Sequence, residues 1–190
     1  MDKKLRIAWG ITGAGDRIKE TFDVMKNIKR NHPVEIKVFA SKAGEQVLKW
    51  YKMVDDVKNS FDGYRVEVNA NSPFLAGSIQ TGKYSCLVIA PATANTIAKI
   101  SMGIADTLLC NSALMALKAY VPVIVMPSDY EEGEVITDLP DGKKLRLRIR
   151  KEDVDHVEKL KMIDGILVVT EPEEIERKIA EILKSRLNEE

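Results

Sequence analysis

The 190-residue chain has only two cysteines, two histidines and an aromatic share of 6%. Cys86 and Cys110 form no CxxC pair and sit inside apolar patterns, so a four-cysteine zinc or iron–sulfur site within one chain is excluded. His32 precedes a proline in a loop, and His156 lies among charges, where both are expected to be solvated. No Ser-His-Asp set, carboxylate pair or metal-ligand spacing stands out, which leaves hydrolysis and metal catalysis without visible machinery. Excess charge is missing too: 29 basic residues balance 29 acidic ones, whereas nucleic-acid and membrane-surface partners normally leave a basic surplus. No apolar run reaches the roughly 20 residues of a membrane span. The start, "MDKKLRIAWGITGAG", is basic and then apolar like a secretion signal, but the apolar part is short and ends in glycines, so it reads as a first strand of a cytoplasmic protein.

What is present is alternation. "LRIAWGIT", "VEIKVFA", "CLVIA", "PVIVMP" and "GILVVT" are strand candidates, and amphipathic stretches separate them. Ile18, Phe22, Met25 and Ile28 mark a helix over 16–30, and "KAGEQVLKWYKM" marks the next. "YRVEV" reads as a short strand and "SPFLAGSIQTG" as loop or helix, while helices are expected over 96–102 and 106–120. "CLVIA" is too apolar for an edge and should be covered on both faces. The pattern predicts an α/β three-layer sandwich around a mostly parallel sheet, in one domain spanning 1–190. A hairpin-like insertion is expected over about 133–150, turning at Pro140-Asp141-Gly142. In its second arm Leu145, Leu147 and Ile149 should face inward, with Lys144, Arg146, Arg148 and Arg150 on the other side.

In an open parallel sheet ligands gather beyond the carboxyl ends of the strands. Here those ends read "GAG", "SKAG", "PATANT" and "MPSD". Gly10 to Gly15 suits an anion at a helix N-terminus or a ligand-free turn. The spacing is neither G-x-G-x-x-G nor a Walker motif. Ser41 and Lys42 stand where a dinucleotide site places Asp or Glu, which argues against NAD. Ser41 fits an anion contact or a helix cap. Thr93 or Asn95, and Asp106, are candidate caps, yet capping needs one polar residue per helix rather than Thr93, Asn95 and Thr96 together.

"PATANTIAKISMGIADTLL", with "ITGAG" and "SKA", resembles the PASANT segment and glycine turn of the homo-oligomeric flavin-containing cysteine decarboxylase superfamily. The resemblance covers residues 5 to 129 and implies a flavodoxin-like (Rossmann-like) fold, FMN, and trimers with the flavin near a subunit interface. It implies that Gly13, Ala14 and Gly15 line the phosphate end beside Ser41, and that Thr93, Ala94, Asn95 and Thr96 lie against the flavin. Asn111 falls where related flavin prenyltransferases carry a cofactor-contacting arginine. The decarboxylases' histidine before PATANT has no counterpart, since none lies between His32 and His156. "VMPSDYEEG" replaces their P-x-M-N-x-x-M-W, and no cysteine follows residue 110 to serve as their flap cysteine. The chain is most similar to the archaeoflavoprotein branch, related to dihydromethanopterin reductases. That likeness implies electron transfer through FMN, with a ferredoxin-like donor and a pterin among the acceptors to consider.

Overall fold

The computed structural model describes residues 5–139 and 141–187, so Pro140 of the expected turn lies outside the described residues. In chain order the elements are β1 (Leu5–Ile11), α1 (Ile18–Asn31), β2 (Val34–Ala40), α2 (Lys42–Trp50), α3 (Val54–Ser60), β3 (Tyr64–Val66), α4 (Ala76–Gln80) and β4 (Cys86–Ala92). They continue with α5 (Ala94–Ser101), α6 (Leu108–Lys118), β5 (Val123–Pro127), β6 (Gly133–Asp138), β7 (Lys144–Ile149), α7 (Lys151–Lys161), β8 (Ile166–Val168) and α8 (Pro172–Leu187). Six strands form one sheet in the order β3-β2-β1-β4-β5-β8, and every pairing in it is parallel.

The period-two alternation of the central strands builds two cores. Ile7, Trp9 and Ile11 of β1, with Cys86, Val88 and Ala90 of β4, face α1 and α8 through Met25, Ile28, Ile175 and Ile179. Ala8, Leu87, Ile89, Val123 and Val125 face the opposite helices through Ile79, Ile97, Leu108 and Val157. All seven residues of β4 are buried, which explains why "CLVIA" carries no polar face. This is the expected three-layer α/β sandwich. After β3 the chain returns to add β4 on the free side of β1, so the strand order reverses between those two strands. Such a reversal opens a crevice beyond the strand ends.

Two helix starts differ from the sequence reading. The fifth helix begins at Ala94, capped by Thr93, whose Oγ1 accepts from the Thr96 N–H. The sixth begins at Leu108 under Thr107, while Asp106 instead pairs with Lys99 at 2.9 Å. The third helix, over Val54–Ser60, went unassigned because its apolar spacing is too short to show a period. The histidines are less free than expected: His156 Nδ1 lies 3.0 Å from Ser101 Oγ and His32 Nε2 lies 3.4 Å from Glu176, both half-buried.

Candidate functional site

The reversal point is tied together by one hydroxyl. Thr12, just past β1 and 2% exposed, donates to the Pro91 carbonyl at 2.7 Å and accepts from the Thr93 N–H at 3.0 Å. Trp9 Nε1 adds a bond to the Ala90 carbonyl at 2.8 Å, next to a shift in the β4–β5 register. The end of β4 is therefore held by side chains of β1, and Thr93 is set at the mouth of the crevice.

The glycines here serve close approach. A Cβ on Gly44 would lie 2.3 Å from the Ile11 carbonyl oxygen, so only glycine lets α2 start against the end of β1. A Cβ on Gly13 would meet the Ala43 side chain at 2.8 Å, and one on Gly15 the Tyr51 hydroxyl at 2.8 Å. The glycine turn thus has a packing reason that is independent of any ligand. The same turn, through Gly13, Ala14 and Gly15, also lines a cavity.

Two cavities meet at Gly13, Thr93 and Asn95. The more polar one, about 640 Å³, is bordered by Ser41, Lys42, Glu67, Thr96 and Thr107. The other, about 400 Å³, is mainly apolar and lies between α2, through Val47, Trp50 and Tyr51, and the β6–β7 hairpin, through Val135, Thr137, Leu145 and Leu147. The hairpin is held to α2 by the Tyr51 hydroxyl, which donates to the Asp138 carbonyl at 2.8 Å. Cross-strand pairing puts Val135 with Leu147 and Thr137 with Leu145 on the cavity side. The inward-facing leucines expected from the alternation therefore roof a cavity, and Leu145 and Leu147 remain 40% and 48% exposed. Ile149 borders a third cavity of about 400 Å³, beyond Asp16. On the outer face Arg146 pairs with Glu134, and Arg150 pairs with Asp153 at the start of α7.

The sequence-derived residues mostly converge. Gly13, Ala14, Gly15, Thr93, Ala94 and Asn95 line the apolar cavity, and Ser41 and Thr96 the polar one. Ser41 caps α2 by accepting from the Gly44 N–H at 2.9 Å, as one of its two readings expected, and it also borders the cavity. Asn95 is exposed, and its amide has no hydrogen bond among the described residues. Asn111 lines neither cavity; its Nδ2 donates to the Ala70 carbonyl at 2.9 Å and to Asn71 Oδ1 at 3.1 Å, supporting the loop that borders the polar cavity.

Residues missed in the sequence include Glu67, which accepts from the Leu108 N–H at 2.9 Å and the Lys42 N–H at 3.4 Å, joining the starts of α2 and α6. Its position just past β3 is the signal, hidden because that strand has only three residues. Asp16 was also missed, although it directly follows the glycine turn. Burial raises its pKa above the ordinary carboxylate value, against the lowering pull of Arg17, and Glu20, Asp129 and Glu171 add to the rise. Across the cavity mouth Asp129 Oδ2 lies 3.0 Å from Ser128 Oγ. Among the described residues no group of His, Cys, Asp and Glu could hold a metal ion.

A doubly wound sheet with a polar and an apolar cavity at its reversal point defines a nucleotide- or flavin-binding class of protein. The chain belongs to the Flavoprotein family, whose pattern matches residues 1–186. It is 50% identical to an uncharacterized protein of Methanocaldococcus jannaschii, over 92% of this chain and 94% of that one. It is 28% identical to the same organism's dihydromethanopterin reductase (acceptor), over 90% and 94% of the two chains. Among solved structures it is similar to Burkholderia xenovorans DmrB in complex with FMN, described as a cubic protein cage for redox transfer. That match has a TM-score of 0.82 at 31% identity and covers 97% of this chain and 98% of that one. A dodecameric FMN-dependent UbiX-like decarboxylase from Escherichia coli shares the fold, with a TM-score of 0.67 at 15% identity over 87% and 80% of the two chains.

Proposed function

We propose that this chain is a single-domain FMN oxidoreductase that takes electrons from a ferredoxin-like donor and reduces a pterin-like heterocycle. The observation that carries the reading is the pair of cavities sharing Gly13, Thr93 and Asn95, one polar and one apolar. The residues present fit FMN. The Gly13–Gly15 backbone, the Ser41 hydroxyl and Lys42 suit a phosphate, and no carboxylate stands at the end of β2 to hold a dinucleotide ribose. Thr93, Ala94, Asn95 and Thr96 would border the ring, and the unpaired Asn95 amide offers it a hydrogen bond. FMN supplies reversible one- and two-electron transfer. The protein's part is to hold that group beside the apolar cavity, where Trp50, Val135, Leu145 and Leu147 offer apolar contact to a planar acceptor.

A homo-oligomer, a trimer or multiple of trimers, belongs to the same reading. Val68, which borders the polar cavity, and Phe74, Met102 and Ile104 are apolar side chains between 45% and 71% exposed, surface that a subunit contact would cover. Among the described residues no helix is long and apolar enough to cross a membrane. The decarboxylase alternative is disfavoured because no histidine lies between His32 and the PATANT segment, "VMPSDYEEG" stands in place of P-x-M-N-x-x-M-W, and no cysteine follows residue 110.

Three measurements test the proposal: mass analysis of the cofactor released by denaturation, light scattering for assembly size, and anaerobic turnover with reduced ferredoxin and a dihydropterin. Released FAD or an empty site would sink the cofactor assignment. Bound FMN that ferredoxin does not reduce would leave a flavin-binding protein without this activity.

A further inference from the structure

Two-electron reduction of a carbon–nitrogen double bond needs a proton as well as a hydride, and of the acidic groups on the apolar cavity's wall, Asp16, Tyr51 and Asp129, Asp16 is the one that makes no hydrogen bond among the described residues. We propose that the Asp16 carboxyl is the proton donor to the acceptor bound in that cavity, an inference that rests on the oxidoreductase reading above.

The geometry supports this in three ways. Asp16 borders the apolar cavity at the glycine turn, together with Val47, Trp50, Leu145 and Leu147, and borders the third cavity as well. No hydrogen bond holds its carboxyl among the described residues, and its one ion-pair contact is long, 4.0 Å to Arg17 Nε. Arg17 is engaged elsewhere: its Nη1 donates to the Thr170 carbonyl and to Glu171, each at 2.7 Å, and its Nη2 lies 3.4 Å from the Tyr130 hydroxyl.

The surrounding charges also favour the neutral form. Besides Arg17, the groups that act on Asp16 are acidic: Glu20 from α1, Asp129 from the loop after β5, and Glu171 from the loop before α8. Lys19 lies over the Tyr51 ring, 5.8 Å from its centroid, and the Tyr51 hydroxyl donates a hydrogen bond to the Asp138 carbonyl. Asp129, the other carboxylate on this wall, is hydrogen-bonded to Ser128. Burial then raises the Asp16 pKa above the ordinary carboxylate value, which is the direction a general acid needs.

For a dihydropterin the step balances as follows. Hydride from the reduced flavin forms the C6–H bond, the C6=N5 π bond breaks, and the Asp16 proton forms the N5–H bond. Oxidised flavin and the Asp16 carboxylate remain, and solvent reprotonates the carboxylate.

The test uses the FMN-loaded protein, reduced with dithionite and mixed anaerobically with 7,8-dihydropterin, or with ferricyanide, which takes electrons without a proton. Asp16→Asn should slow dihydropterin reduction by about 100-fold or more and leave ferricyanide reduction unchanged. Asp16→Glu should restore part of the loss. The wild-type dihydropterin rate should fall as pH rises through the Asp16 pKa, and the Asn variant should lose that limb. Carboxyl ¹³C NMR of aspartate-labelled protein reads the group without any acceptor, since the resonance missing in Asp16→Asn identifies it. A midpoint above the ordinary carboxylate range supports the assignment, and an ordinary or lowered one overturns it. Equal slowing with both acceptors, or no slowing, also overturns it. Wild-type protein that reduces ferricyanide but not dihydropterin overturns the pterin reading and this step with it.

Discussion

Replacing Thr12 with Val removes one oxygen and keeps the side chain's shape, so it isolates the polar link between β1 and β4. The hydroxyl is almost fully buried, donates to Pro91 and receives the Thr93 N–H. Valine leaves that carbonyl and that N–H without their partner, at about 1–3 kcal/mol for each unpaired buried group. Thr93 is only half-buried beside an open cavity, so water can recover part of its share, and about 2–4 kcal/mol is expected overall. For a chain of this size that corresponds to a fall in Tm of about 4–16 °C. Thr12→Ser keeps the oxygen and should lose less than half as much, mainly through the missing methyl. The assay is thermal and urea unfolding of flavin-free protein, with flavin affinity measured in parallel. A Thr12→Val melt matching wild type, or a serine variant as weak as valine, would refute the view that this hydroxyl holds the site's frame.

Gly44→Ala should destabilise the flavin-free protein by about 1–3 kcal/mol despite alanine's better helix propensity, because the new methyl meets the Ile11 and Thr12 backbone, which cannot rotate away; urea midpoints test this. Arg146 is neutralised by Glu134, so any docking charge on the hairpin's outer face rests on Lys144 and Arg148, which have no ion pair among the described residues. Replacing those two with Gln should slow reduction by an acidic ferredoxin at low salt and leave dithionite reduction unchanged, whereas equal slowing would remove the docking role. The Asp153 pKa is lowered chiefly by its hydrogen bond from Arg150, so it contributes stability above its unfolded pKa that is lost as pH falls through the folded value. Asp153→Asn should therefore flatten the acid limb of stability between about pH 5 and pH 2, as followed by urea midpoints.

How much of this was legible follows from where each signal is written. The central strands are apolar on both faces, and the large helices repeat at helical spacing, so layers and order could be read directly. Ser41 and the Thr93–Thr96 run were found because small polar residues at strand ends contrast with the apolar runs before them. Thr12 and Glu67 were missed for the opposite reason. A threonine after a strand looks ordinary until the chain 79 residues later proves to be its partner, and Glu67 follows a three-residue strand that alternation cannot detect. The hairpin and its inner face were found, but not the cavity beneath it, because alternation separates two faces without saying whether a core or a cavity lies under one of them.

Asp16 makes the tension between stability and chemistry measurable. A carboxyl whose folded pKa is raised is more easily protonated in the folded protein than in the unfolded chain. Its contribution is fully present below the unfolded pKa and is lost as pH rises through the folded one. Wherever the carboxyl ionises in the folded protein, its charge sits where burial and three neighbouring acids disfavour it. Asparagine carries no such charge. Asp16→Asn should raise the Tm at neutral pH, and the gain should shrink to nothing as pH falls below the ordinary carboxylate range. The same substitution is the one expected to disable proton delivery, which is the trade expected where a site is held against the preference of the fold. Thermal melts of flavin-free wild type and variant across that pH range decide it: an equal or lower Tm for the variant at neutral pH would mean that the surroundings of Asp16 favour its charge, leaving it unsuited to hold a proton for transfer.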